Sequence, residues 1–335
     1  MKAVVLESLL PIEQGPLRVV DRGVPTPAAS QVLIKVASCG VCRSNLHMIE
    51  GDWAPNCPSF TPIVPGHEVV GTIAAVGAGV DSFQVGDRVG VQPMWSTCGE
   101  CEYCVAGLDH RCQSKEITGE SVDGGYAEYM IGVAEHTYRL PDALDFADAA
   151  PLFCPGITAF GAVAKADLAP GKKVAVFGVG GVGHMVLQMA ALSGADVFAV
   201  SRGKDHLALA EELGARSVDA SGGGAVDALQ RLGGVDAAIL LAPSDAVAAQ
   251  AIEATRPGGI IVTAVNVTAT LSFAQEKTVV GSLLGTRAQM REVLDLAAAG
   301  KIKAECEPFA LEDAPTALTR LKNGTIRVRA VLMVS

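Results

Sequence analysis

The chain has no surplus of basic charge: 26 Lys and Arg stand against 36 Asp and Glu, a formal net charge of −10. No basic patch stands out, so a nucleic-acid partner is not expected, and the acidic balance reads as a solubility feature. There is no apolar run of about 18–20 residues, which argues against a membrane span. Met1 leads straight into Lys2–Leu6, without the charged start and long apolar stretch of a secretory signal. These absences predict a cytoplasmic protein. Internal repeats are missing, and the only low-complexity tract is Ser221-Gly222-Gly223-Gly224. Cysteine is scarce in the second half: eight of the nine precede residue 155, and the ninth is Cys306. Cytoplasmic cysteines more often bind metal or pack than form disulfides. Any metal chemistry therefore belongs to the first half.

The 335 residues suffice for two domains. Half the residues are hydrophobic, 19% are charged and 37 are glycine, as a compact α/β fold with many tight turns requires. The first domain reads as short strands, Lys2–Leu6, Val32–Val36, Val69–Val76 and Asp87–Val91, separated by Gly and Pro turns, which predicts an all-β or barrel-like unit. Residues 93–125 form an irregular loop that needs a staple. After Pro141 the texture changes. Helical segments over Phe146–Ala150 and Ile157–Lys165 lead to the buried strand Lys173–Phe177 and the helix Val182–Ser193. Strand Val197–Val200 and helix Leu207–Leu213 follow. Further strands, Val235–Leu241, Gly259–Ala264 and Thr278–Leu284, alternate with helices, which predicts a parallel sheet with crossover helices. Helix Arg287–Ala299 leaves that domain, and the tail from Lys301 returns to short strands that rejoin the first.

Four groups of residues carry chemistry. Cys39 to His47 packs two thiols, a guanidinium, a hydroxyl, an amide and an imidazole into nine positions. Cys98, Cys101, Cys104 and Cys112 sit on the hydrophilic loop at a spacing that closes a tetrahedron around Zn²⁺, and four protein ligands make such a site structural. Cys₄ also suits an iron–sulfur cluster. His67, in Pro65-Gly66-His67-Glu68, could join Cys42 and Cys154 as a Cys₂His set with one open position, although spacing alone does not bring three such distant residues together. Gly178-Val179-Gly180-Gly181-Val182-Gly183 follows a strand and opens a helix, the context in which Gly-x-Gly-x-x-Gly binds a dinucleotide pyrophosphate. The next strand ends at Val200, where an NAD-preferring unit carries an acidic residue. Ser201 and Arg202 stand there instead and favour a 2′-phosphate, hence NADP(H). The alternative is NAD(H), with Arg202 turned to solvent. Asp205 is expected to open the next helix.

Taken in order, these segments resemble the zinc-containing medium-chain alcohol dehydrogenase family, and the resemblance covers essentially the whole chain. It rests on Cys39 to Cys42, Gly66 to Glu68, Cys98 to Cys112, Ala150 to Cys154 and Gly178 to Gly183. It implies an α/β fold: a GroES-like catalytic domain over 1–153, completed by 288–335, and a Rossmann domain over 154–287, with the active site in the cleft between them. Two zinc ions per subunit are implied, a catalytic one on Cys42, His67 and Cys154 and a structural one on Cys98, Cys101, Cys104 and Cys112. Cys39, Cys57 and Cys306 match no ligand position. The implied activity is hydride transfer between a nicotinamide and an alcohol, aldehyde or ketone. Ser44 and His47 pass the proton, Glu68 assists ligand exchange at the metal, and Arg43 and Arg329 contact the pyrophosphate. Trp53 and Trp95 are expected to line the substrate cleft, and a homodimer or homotetramer is implied. A polyol or other secondary-alcohol dehydrogenase is the nearest alternative activity. A zinc- or redox-sensing protein without turnover is a further one, opposed by the intact Ser44 and His47 pair. The family usually has Asp where this chain has Asn45. The Asn45 oxygen is expected to accept the His67 N–H without bringing negative charge, leaving the zinc more electrophilic and the pH dependence of turnover altered.

Overall fold

Val32, Ile34 and Val36 alternate along one face of the strand Gln31–Gly40 and are all buried. That strand is the hub of the first unit in the computed structural model, which describes residues 1–334. It pairs antiparallel with Val69–Val76, with Tyr129–Val133 and with Arg329–Met333. The sheet runs Cys306–Ala310, Arg329–Met333, Gln31–Gly40, Val69–Val76, Arg88–Val91, Thr137–Arg139. A single core gathers Val4, Leu6, Ile34, Leu46, Ile49, Ile63, Ile73, Tyr126 and Leu332. The first unit comprises Met1–Cys154 and the residues from Thr286 onward, and the second is Pro155–Gly285.

The division corrects the expected boundary by one residue at one end and two at the other. The shift has a physical cause. Cys154 ends the tight helical turn Ala150–Phe153, whose residues are all buried, and the helix Pro155–Val163 begins only after it. Cys154 therefore belongs to the unit that holds Cys42 and His67.

The second unit is a six-stranded sheet ordered Arg216–Asp219, Asp196–Ser201, Lys173–Phe177, Val235–Leu240, Thr255–Thr263, Thr278–Gly281. Every pairing in it is parallel. The first strand of the unit, Lys173–Phe177, lies between neighbours from its two halves, so strand order reverses there, the switch point where open α/β sheets bind ligands. Its own core includes Phe177, Phe198, Leu229, Leu240 and Ile261.

Two helices depart from the expected pattern. Arg43–Glu50 is a full helix that begins inside the Cys39 to His47 stretch and runs past it, burying Leu46, Met48 and Ile49 and ending on Gly51 in the left-handed conformation. Ala314–Lys322 is a helix within the tail expected to be strands, with Pro315 in its first turn. No single helix among the described residues is long and apolar enough to cross a membrane.

Candidate metal and dinucleotide sites

The helix Arg43–Glu50 starts at Cys42, so Cys42, Ser44 and Asn45 share its first turn, and His47 follows one turn on. His67 and Glu68 immediately precede the strand Val69–Val76, which is locked to the hub strand by the Gly40 N–H donating to the Glu68 carbonyl at 2.9 Å. These elements bring donor atoms of Cys42, His67, Glu68 and Cys154 within 4.8 Å of one another, all four residues being buried. The Cys42 and Cys154 sulfurs are 3.7 Å apart. Two thiolates on one tetrahedral zinc, with Zn–S near 2.3 Å, would sit about 3.8 Å apart. The donor set therefore fits the ion.

Glu68 is the fourth member of the group, but its carboxylate is committed elsewhere. Arg329 donates to both of its oxygens, Nε to Oε2 at 3.1 Å and Nη2 to Oε1. Burial pushes the Glu68 carboxyl up, and the Arg329 charge opposes it. Arg329 is itself only 4% exposed, so its guanidinium serves the metal-side carboxylate in this structure.

Cys42 and Cys154 respond oppositely to their shared position. The Cys154 thiol hydrogen-bonds the Cys42 sulfur and holds Cys42 well below the ordinary thiol range. The same contact, with burial, pushes Cys154 up. At His67 desolvation disfavours the proton, but the bond and attraction from Cys42, with Glu120 and Glu68, outweigh it and raise the imidazole. A cation here competes with protons for a clustered negative charge. The Ser44 hydroxyl lies at the edge of the set, donating to the Cys42 sulfur at 2.9 Å and standing 3.3 Å from His67 Nε2.

Asn45 does not act as expected. Its Oδ1 accepts the Cys42 backbone N–H and the Tyr126 hydroxyl, both at 3.3 Å. Its Nδ2, not its oxygen, faces His67 Nδ1 at 3.3 Å. The oxygen is held by the helix start, where it caps the Cys42 N–H. A residue absent from the sequence reading stands on the other side: Glu120 Oε1 is 3.8 Å from His67 Nδ1. Its only sequence signal is a carboxylate in the glycine-rich turn after the four-cysteine loop.

His47 is half-buried and its Nδ1 is 2.6 Å from Asp52 Oδ2. The Trp53 ring lies 5.7 Å from the His47 ring, and Trp53 is partly exposed. Trp95 instead donates its ring N–H to the Ile131 carbonyl at 2.8 Å and packs against the core. Of the two tryptophans, the structure puts Trp53 beside His47. Arg43 is exposed and donates to the Leu321 carbonyl at 3.1 Å.

The four-cysteine loop closes on itself. Sulfur separations are 3.9 Å for Cys98 and Cys104, 3.5 Å for Cys101 and Cys104, and 3.6 Å for Cys112 and Cys98. All four sulfurs lie within 4.8 Å of one another, again near the tetrahedral Zn–thiolate edge of about 3.8 Å. The backbone N–H groups of Glu100 and then Cys101 pull Cys98 down to about 6, and desolvation pushes Cys104 up to about 11. Cys39, Cys57 and Cys306 belong to neither cluster.

In the second unit Gly178 to Gly183 joins the strand Lys173–Phe177 to the helix Gly183–Leu192. A methyl group at Gly183 would meet the Gly178 carbonyl oxygen at 2.1 Å, so only glycine lets helix and strand approach. A methyl at Gly180 would meet nothing within 4 Å, which leaves the backbone open to a phosphate. Asp205 lies in the first turn of the helix Lys204–Glu212, as expected. Ser201 ends its strand and accepts the Gly203 N–H at 3.3 Å, and Arg202 is exposed.

Known proteins resemble this chain along its length. The profile of the alcohol dehydrogenase GroES-like domain matches residues 28–142, and that of the zinc-binding dehydrogenases matches residues 181–299. An alcohol dehydrogenase of Geobacillus stearothermophilus is 38% identical over 342 aligned positions, covering 100% of both chains. A solved NAD-dependent alcohol dehydrogenase superposes with a TM-score of 0.93 at 29% identity, covering 100% of each chain. A Sinorhizobium meliloti 1021 chain solved with NADP bound superposes with a TM-score of 0.89 at 28% identity, covering 99% of this chain and 98% of that one.

Proposed function

The chain belongs to the zinc-containing medium-chain alcohol dehydrogenases, and from that premise we propose how its residues divide the work of a zinc-dependent alcohol oxidoreductase. Cys42, His67 and Cys154 hold the catalytic zinc, and Cys98, Cys101, Cys104 and Cys112 hold a second, structural one. When bound, the zinc supplies a Lewis acid that acidifies an alcohol O–H, and the nicotinamide supplies the hydride acceptor. The chain supplies the proton path and the binding surfaces. The observation that carries this reading is the Ser44 hydroxyl, placed 2.9 Å from the Cys42 sulfur and 3.3 Å from His67 Nε2. A hydroxyl there can accept the alcohol proton and pass it outward. His47 is the outer acceptor, its ring oriented by Asp52 at 2.6 Å.

Gly178, Gly180, Gly181 and Gly183 cradle the pyrophosphate, and Arg43 contributes a cation to it. Arg329 holds Glu68 beside the metal ligands, and ligand exchange at the metal would require that carboxylate to leave its Arg329 partner. NADP(H) is the favoured cofactor and NAD(H) the alternative, because Ser201 and Arg202 replace the carboxylate that a 2′-hydroxyl requires. The substrate is a small alcohol, aldehyde or ketone, and the protein works in the cytoplasm as a homodimer or homotetramer.

Initial rates with NADPH and NADH against a panel of aldehydes, ketones and polyols test the assignment. NADPH should be preferred, and Arg202→Ala should erode that preference. A large NADH preference overturns the role of Ser201 and Arg202. Two zinc ions per subunit are expected by metal analysis, and one overturns half of the ligand assignment.

A further inference from the structure

A histidine that binds metal through Nε2 carries its proton on Nδ1, and that proton needs an acceptor. In this chain Nε2 faces the Ser44 hydroxyl and the Glu68 side, and Nδ1 faces away, toward Asn45 and Glu120. The acceptor must come from one of those two.

Asn45 cannot serve. It has one oxygen, and two N–H groups compete for it: the Cys42 backbone N–H and the His67 Nδ1–H. As placed, the oxygen takes Cys42 and the Tyr126 hydroxyl, and the amide nitrogen faces His67. Turning the amide over satisfies His67 and sets the same NH₂ against the Cys42 N–H. Either way one buried donor faces another, a defect that costs about 1–3 kcal/mol. A carboxylate at position 45 would have two acceptor oxygens and no such conflict.

Glu120 can supply the missing acceptor. Its Oε1 is 3.8 Å from His67 Nδ1, and its side chain is 17% exposed. Reaching an ordinary N–H···O length takes a movement of about 1 Å. Its backbone is fixed by the Ser59 N–H, which donates to the Glu120 carbonyl at 2.9 Å. Its other oxygen lies 3.6 Å from the Cys57 sulfur. The position is built by a close backbone crossing. Gly119 has φ +73°, and a methyl there would lie 2.6 Å from the Gly66 nitrogen, so the turn that carries Glu120 rests directly on the residue before His67.

We propose that Glu120 is the positioning residue for the catalytic metal: its carboxylate accepts the His67 Nδ1–H, the task that Asn45 is unable to perform. It fixes the tautomer and ring orientation of His67 and restores the negative charge that an amide at position 45 does not bring. The proposal rests on Cys42, His67 and Cys154 being the metal ligands.

The test is the zinc affinity of the catalytic site in the full-length zinc-loaded enzyme, measured by competition with a chelator. The four-cysteine site serves as the internal reference. Glu120→Gln should lower that affinity by about 10- to 100-fold and leave the reference site unchanged. Asn45→Asp in the Glu120→Gln background should recover most of the loss, because Asp offers oxygens to Cys42 and to His67 at once. That rescue separates a positioning role from misfolding. Parent-like affinity in Glu120→Gln, with only KM altered, overturns the proposal and makes Glu120 a substrate contact. Equal weakness in the single and double variants overturns it as well. A parent enzyme holding a single zinc overturns the ligand assignment itself and is distinguished from both by the first metal analysis.

Discussion

His136 should make the metal-bearing unit acid-labile. It closes the short helical turn Ala134–His136 and is only 2% exposed. Its Nε2 lies 3.3 Å from the Thr97 hydroxyl, and its Nδ1 has no hydrogen-bond partner among the described residues. Burial pushes the imidazole from 6.5 down to about 4, the Arg287 charge adds to this, and Glu135 and Asp109 oppose it. Because the folded value lies below the unfolded one, the unfolded chain takes up the proton first as pH falls. His136 therefore contributes stability that is complete above pH 6.5 and is lost as pH falls toward 4. Over the whole window this amounts to about 3 kcal/mol, and between pH 7 and pH 5 to about 2 kcal/mol. Both tryptophans, Trp53 and Trp95, lie in this unit, so their fluorescence follows its urea unfolding. His136→Gln, which keeps an amide for Thr97, should flatten the pH dependence by about 2 kcal/mol over that interval. In ring-nitrogen NMR spectra His136 should stay neutral at pH 5. A His136 resonance titrating near pH 6.5, or identical pH slopes in parent and variant, refutes the reasoning.

Ser44→Ala should lower kcat by roughly 100-fold or more while zinc content stays at the parent level, as metal analysis beside steady-state kinetics would reveal. Gly119→Ala combines a left-handed φ with a methyl at 2.6 Å from the Gly66 nitrogen. It should cost on the order of 2–3 kcal/mol in urea unfolding and release zinc from the catalytic site first. Cys112→Ser should remove one zinc per subunit and open residues 98–112 to proteolysis, with the Cys42, His67 and Cys154 site still loaded. Retention of both ions by that variant counts against a structural site on the loop.

The parts of this molecule that were legible in its sequence are those whose partners are near in the chain. The four thiols from Cys98 to Cys112 are legible because one loop supplies the whole tetrahedron. The turn from Gly178 to Gly183 is legible because strand, turn and helix are consecutive. The set of Cys42, His67 and Cys154 needed the family resemblance, since the pairing of Gln31–Gly40 with Val69–Val76 joins the first two and the buried turn Ala150–Phe153 brings in the third from more than a hundred residues away. Glu120 was not legible at all. It reaches His67 through the crossing of Gly119 over Gly66, a contact that neither periodicity nor spacing announces. The burial of Arg329 against Glu68 is not legible either, because it depends on the pairing of the last strand with Gln31–Gly40, which no local pattern announces. The helix Arg43–Glu50 was hidden by Ser44, Asn45 and His47, weak helix formers whose conformation is set by the packing of Leu46, Met48 and Ile49.

The return of the tail to the first unit has a consequence for synthesis. The dinucleotide-binding unit is one continuous stretch, Pro155–Gly285, and can close as soon as it clears the ribosome. The metal-bearing unit cannot. Its hub strand waits for Arg329–Met333, and Glu68 waits for the cation of Arg329. At about 5–20 residues per second, the nascent chain carries Cys42, His67 and Cys154 for roughly 10–35 seconds before Arg329 is added beside their carboxylate neighbour. The surroundings of Glu68 are thus completed only once Arg329 has been made, long after the residues they enclose.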